Sequence, residues 1–236
     1  MGHGEEIAKA GLEIKAIKLN PEKPFTWASG YRMPIYNDNR MFLLYPEYRK
    51  MICSALSERL WSFDIPDDVI IAGTSTAGIS PATTLADRQY LSLIYVRDKP
   101  KDHGLRNQIE GIDAECGLNG ISAVLIEDLI STGGSSVKAV QAIRDAGGKC
   151  DHCISIFSYG LDEAMEMFEG KRAYDGKNKL SSPCKVSSAV TYPVLLEVAK
   201  STRYIDSAKI KMLEEWRADP FGWGEKRGFP RVIHKK

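Results

Sequence analysis

Four short runs of β-branched and apolar residues limit what this chain can fold into. They are DVIIAG (68–73), LSLIYV (91–96), ISAVLIED (121–128) and HCISIFS (152–158), with KVSSAVTY (185–192) as a candidate fifth. Between them, TSTAGISPATTLADRQ (74–89) is a Gly/Ser/Thr loop entering a helix. SSVKAVQAIRDA (135–146) is a helix with Val137, Val140 and Ile143 inward and Gly147-Gly148 at its end. Short apolar strands that alternate with helices form a parallel sheet covered on both faces. The expected fold class is therefore α/β, a central parallel sheet flanked by helices.

The flanking segments read differently. Residues 5–17 place Ile7, Gly11, Ile14 and Ile17 on one helical face, and residues 46–61 form a second helix that starts at Pro46. Between them, LNPEKPFTWASGYRMPIYNDNR is rich in Pro and aromatics and predicts an ordered loop with short strands. The end of the chain predicts two helices and a Pro/Gly/Trp-rich tail. No repeat or low-complexity linker divides the 236 residues, a length that can bury one large core. The whole of 1–236 reads as a single domain capped by its N-terminal segment.

Formal net charge is +1, from 32 basic and 31 acidic residues, which gives no electrostatic case for a nucleic-acid or membrane surface. No apolar run approaches the length of a membrane span. The five cysteines are odd in number and no signal-peptide pattern opens the chain, so a reducing, cytoplasmic setting is expected. Cys150 and Cys153 have C-x-x-C spacing with His152 inside, but no second pair stands at ligand spacing and the segment feeds a strand. The reading there is structural.

In open parallel sheets, ligands bind beyond the carboxyl ends of the strands. Three loops leave such ends, 74–80, 97–111 and 128–136, and all are unusual. In VLIEDLISTGGSS, a strand ends on Glu127 and Asp128 and turns into a Gly/Ser/Thr segment that opens a helix. Backbone N–H groups at a helix N-terminus favour an anion, and glycines admit a phosphate closely. No Lys follows Gly134, so this is not the nucleotide P-loop. Carboxylates suit vicinal hydroxyls or the water shell of a metal. A ribose 5-phosphate satisfies both halves. The segment VRDKPKDHGLRNQIEG (96–111) carries Arg97, Lys99, Lys101, His103 and Arg106, with Gly104 and Gly111 as hinges. It reads as an exposed, mobile cationic lid, suited to a leaving diphosphate.

VLIEDLISTGGSS resembles the phosphoribosyl-diphosphate (PRPP) motif of the type I phosphoribosyltransferases. KDHG followed by NQIEG resembles the catalytic loop of the orotate phosphoribosyltransferases. FTWASGYRMPIYNDNR (25–40) is similar to their hood segment, AGTSTAGISPATTLADR (72–88) to their diphosphate loop, and EEWRADPFGWG (214–224) to the C-terminus of one bacterial branch. The resemblance implies a core at about 46–192 and a small hood from about 1–45 plus the C-terminal helices. It implies transfer of phosphoribosyl between PRPP and orotate in pyrimidine biosynthesis, with Mg2+ held mainly by PRPP rather than by a protein cage.

By that resemblance, Glu127 and Asp128 bind the ribose hydroxyls. Leu129, Ile130, Ser131, Thr132, Gly133, Gly134 and Ser135 wrap the 5-phosphate. Arg97, Lys101 and His103 meet the diphosphate, and Lys101, His103 and Asp128 are the catalytic candidates. Ser131 and Tyr36 are the candidates for orotate, with Trp27 a further stacking surface. The family is a homodimer whose lid reaches into the neighbouring site.

Four cations of the enteric pattern are absent. Ala28, Asp98 and Ala77 stand where a Lys is usual, and FSYGLDEAM lacks the Arg expected for the orotate carboxylate. Arg32, Lys99 and Arg40 are candidates to compensate. The family pattern also predicts a non-proline cis peptide near Ser75–Thr76. Two alternatives keep the fold and change the role: a purine-base transferase, and a PRPP-sensing regulator.

Overall fold

The structure is a computed structural model that describes residues 2–27, 29–99, 108–113 and 116–233. The chain divides into two compact units, residues 45–191 and the pair of segments 1–44 and 192–236.

The N-terminal segment begins with α1 (His3–Glu13), whose Ile7, Ala8 and Leu12 are buried. The helix ends earlier than its apolar spacing suggests. Lys15 takes φ 60°, and Ile17 then enters β1 (Ile17–Leu19) instead of completing the helical face. Next come β2 (Phe25–Thr26), β3 (Arg32–Met33), β4 (Ile35–Asn37) and a 3-10 helix (Asn39–Leu44). Two antiparallel ribbons result, β1 with β4 and β2 with β3.

The larger unit opens with α2 (Pro46–Leu60), which has Pro at its first position, where no N–H is missed. It continues as β5 (Ile70–Thr74), α3 (Ile79–Gln89), β6 (Leu93–Val96), β7 (Ile109–Glu110), β8 (Ser122–Ile130), α4 (Gly134–Asp145), β9 (Lys149–Ser158), α5 (Asp162–Phe168) and β10 (Lys185–Thr191). The six strands lie in the order β10-β9-β8-β5-β6-β7. All neighbours are parallel except β6 and β7. The α/β class holds, with one addition: the polar segment after β6 contains the antiparallel edge strand β7. Ile109 explains it, because it is buried to 1% exposure and sits opposite Val96.

The last segment belongs to the same unit as the N-terminal segment and forms α6 (Tyr192–Ser201), α7 (Ser207–Ala218) and the short α8 (Trp223–Lys226). Its core is aromatic. Trp216 lies 5.2 Å from Tyr192 and edge-on to Trp27, and its Nε1 points at Met33 Sδ, 3.1 Å away.

On the sheet, side chains alternate between faces. Ile70, Ala72, Ala123 and Leu125 join the buried cluster that includes Val137, Val140 and Ile143 of α4. Gly73 points the other way, onto α3, where an added Cβ would stand 2.9 Å from Ala82 Cβ. At Gly78 an added Cβ would overlap Thr74 Oγ1 and lie 2.6 Å from Ile126 O. The loop from β5 into α3 is therefore seated directly on the strand ends. Gly147 (φ 84°) and Gly148 end α4, with Gly148 N–H donating to Ile143 O at 3.0 Å. Cys150, Cys153 and Cys184 are buried in the α4-side core and, like Cys53 and Cys116, are free thiols. No helix among the described residues is long and apolar enough to cross a membrane.

Gly78→Ala is expected to lower stability by about 1–3 kcal/mol, because the methyl meets backbone and a strand-end hydroxyl instead of a pliant side-chain tip. Urea unfolding of the two proteins measures this, and equal midpoints would contradict the packing described.

Candidate active site

The strand order reverses direction at β5 and β8. β5 leads through α3 to β6 on one side, and β8 leads through α4 to β9 on the other. Adjacent parallel strands whose connections diverge leave a crevice at their carboxyl ends. A cleft of about 510 Å³ occupies that position. Its walls are 74–77 after β5, 96–99 and Gln108 around the β6–β7 hairpin, and 127–129, 131–136, Lys138 and Ala139 from β8 into α4.

The peptide Ser75–Thr76 is cis, as expected for this loop. Across the cleft, Gly133 takes φ 83° at the N-cap of α4, where its missing side chain leaves Ala164 in close contact. The first turn of α4 thus faces the cleft with free backbone donors.

The two acids have different surroundings. β8 runs on to Ile130, so both lie within the strand and point to opposite faces. Glu127 follows Ala123 and Leu125 to the α4 face and is 5% exposed. Thr74 Oγ1 donates to its Oε2 at 2.5 Å, and Ser136 Oγ donates to its Oε1 at 2.7 Å. Burial pushes this carboxyl up to about 7, against the pull of the two hydroxyl bonds, and the Asp128 charge adds to the rise. Asp128 is half-buried at the cleft wall.

Arg97 stands at the base of the cationic segment. Its Nη1 donates to Glu110 Oε1 at 3.2 Å, and its backbone exchanges bonds with Gln108 through both a main-chain and a side-chain donor. The β6–β7 hairpin therefore fixes Arg97 against the cleft. Lys99 and Asp98 line the same wall.

Arg97, Glu127, Asp128, Leu129, Ser131, Thr132, Gly133, Gly134 and Ser135 are thus brought to one cleft; Ile130 is buried behind it. Lys101 and His103 lie outside the described residues, as do Arg106 and Ala28. Tyr36 belongs to the smaller unit, where it is 38% exposed, tilted against Phe25 at 5.9 Å, with Lys18 Nζ 5.8 Å from its ring centre. Trp27 is part of the aromatic core of that unit, and its Nε1 donates to Ile35 O at 2.9 Å. Of the candidate compensating cations, Arg40 grips Asp38 with two bonds of 2.6 and 3.0 Å, and Arg32 Nη2 donates to Pro24 O.

Three cleft residues escaped the sequence reading. Thr74 and Ser136 look like further phosphate donors in a hydroxyl-rich loop, and only strand pairing turns them onto Glu127. Lys138 did carry a signal. It sits four residues after Gly134, on the same face of α4, and helical side chains lean back toward the N-terminus.

Among the described residues, no group of three or more His, Cys, Asp or Glu side chains is placed to hold a metal ion. A hard divalent cation that keeps several waters and bridges substrate oxygens needs only one or two carboxylates, and Asp128 and Asp98 on the cleft walls fit that requirement.

No family model matches the chain. Curated relatives do. The chain is 40% identical over 222 residues to an orotate phosphoribosyltransferase of Listeria monocytogenes serotype 4b (strain F2365), covering 94% of this chain and 98% of that protein. It is 44% identical over 217 residues to an orotate phosphoribosyltransferase of Bacillus cereus (strain B4264), covering 92% and 95%. Among solved structures it resembles Leishmania donovani UMP synthase with a TM-score of 0.67 and 26% identity, over 91% of this chain and 43% of that longer one.

A carboxyl raised in the folded state binds protons that the unfolded chain has lost, so its stability contribution falls as pH rises. Between its ordinary value of 4.5 and about 7, Glu127 is expected to remove about 3 kcal/mol from the unligated protein. In urea titrations from pH 4.5 to 8, Glu127→Gln should flatten that decline. An unchanged slope would show that Glu127 is not its source.

Proposed function

The chain belongs to the orotate phosphoribosyltransferase family, and from that membership we propose how its own residues divide the work. The reaction joins orotate to the phosphoribosyl group of PRPP, giving orotidine 5′-monophosphate and diphosphate in pyrimidine biosynthesis. One observation supports the residue assignments: the loop after β5 and the Gly/Ser/Thr turn into α4 line one cleft together with the paired acids.

The first turn of α4 and residues 129–135 hold the 5-phosphate through backbone donors and hydroxyls. Asp128 accepts from the ribose hydroxyls. Glu127, whose two bonds leave lone pairs unused, accepts from the same diol. Residues 75–77 and Arg97 receive the diphosphate. Lys101 and His103 complete its neutralisation as charge develops on the leaving group. Mg2+ would supply further charge neutralisation to the diphosphate, and Asp128 and Asp98 on the cleft walls would help to hold it. Orotate N1 attacks C1 of the ribose as the C1–O bond to diphosphate breaks, and the site contributes position and charge. Ser131 and Tyr36 contact orotate. Lys138 supplies a cation beside the 5-phosphate, in a site where Ala77 and Asp98 replace lysines of the enteric pattern. Two chains form the working enzyme, each lending its cationic segment to the other. Five free thiols suit a cytoplasmic enzyme.

With PRPP and Mg2+, turnover is expected with orotate and not with adenine; exclusive use of adenine would overturn the assignment. Lys101→Ala should lower kcat by about 100-fold or more while PRPP binding changes modestly. Lys138→Ala should behave oppositely, raising KM for PRPP about tenfold with kcat little changed. Steady-state kinetics separate the two, and an unchanged KM in Lys138→Ala would remove that residue from the phosphate site.

A further inference from the structure

Glu127 is the meeting point of three segments that bind different parts of the substrate. It extends from the end of β8, next to the acid that faces the ribose. Its Oε2 takes the hydroxyl of Thr74, the last residue of β5 before the diphosphate loop. Its Oε1 takes the hydroxyl of Ser136, in the first turn of α4 above the 5-phosphate loop. Both bonds are buried. Gly78 leaves no free space around Thr74, since any side chain there would strike its hydroxyl, so the strand end, the loop and α3 move together.

We propose that Glu127 is a positioning residue that ties the diphosphate loop to the 5-phosphate loop, so that each phosphate-binding wall depends on the other for its geometry. The proposal rests on the assignment of the two walls given above. A hydrogen bond to a carboxylate in a dry site is stronger than a neutral one, and removing one partner leaves the other group buried and unsatisfied. Loss of either hydroxyl therefore frees Glu127 to shift and loosens the wall on the far side as well as its own. This differs from a local role. If Thr74 and Ser136 only shape their own loops, each substitution disturbs one phosphate and leaves the other alone.

The test uses the two halves of the substrate as separate probes. Ribose 5-phosphate reports the α4 wall and inorganic diphosphate, with Mg2+, reports the β5 wall, both by calorimetric titration of the intact protein. Ser136→Ala is expected to weaken diphosphate about tenfold, and Thr74→Val to weaken ribose 5-phosphate by a similar factor. Thr74→Ser, which keeps the hydroxyl, should restore binding, so a variant that merely folds poorly is distinguishable. Adding the second substitution to the first should cost little more, because one removal already breaks the tie. The proposal is overturned if each variant weakens only the probe of its own wall, or if the two losses add in full. Should Thr74→Val fail to fold, Ser136→Ala with diphosphate decides alone. If the unaltered protein binds neither probe and does not turn over PRPP with orotate, the assignment of the walls fails, and with it the premise.

Discussion

The pairing of β5 with β8 is the constraint on which the rest of this structure depends. Ile70 to Gly73 lie in register with Ala123 to Ile126, so Thr74 and Glu127 emerge as neighbours at the strand ends. The two strands then part company, one feeding α3 and the other α4. That divergence opens the crevice, and it also strands a carboxylate in the floor. A charge there is costly unless neighbours satisfy it, and the hydroxyls of Thr74 and Ser136 do so from both sides. The same dry setting that raises the carboxyl to about 7 also strengthens its hydrogen bonds.

Around that floor the two acids have different surroundings. Strand alternation sends Glu127 under α4 and Asp128 to the other face, so adjacent residues differ in solvation. Arg97 shows the same economy at the edge of the sheet. The short strand β7 folds back on β6, and Glu110 and Gln108 hold Arg97 in place at the root of the cationic segment. The tight glycines complete the arrangement. Gly78 lets α3 rest on the strand end, and Gly133 takes a conformation that other residues reach only with strain, which lets α4 begin facing the cleft.

The aromatic residues of the N-terminal segment illustrate how residue type alone leaves a role open. Trp27 and Tyr36 both look like surfaces for a flat base. Trp27 is half-buried and lies edge-on to Trp216, its indole nitrogen donating to Ile35 O. Arg40, a candidate replacement for a missing cation, is gripped by Asp38 two residues away, a local bond that the sequence alone does not announce.

What the sequence determined by itself is local in character. The apolar runs and their spacing dictated a parallel α/β sheet, and the motif from Val124 to Ser136 dictated a Gly/Ser/Thr turn into a helix beside two acids. Both follow from periodicity and from the chemistry of residues close in the chain. The antiparallel β7, the early end of α1 and the union of Thr74 with Glu127 were decided only by tertiary structure. Thr74 and Glu127 stand 53 residues apart, and nothing in either segment specifies the other. Strand register brings them together, burial removes the water that would otherwise solvate the carboxylate, and the resulting bonds link Glu127 to partners that its place in the motif does not reveal.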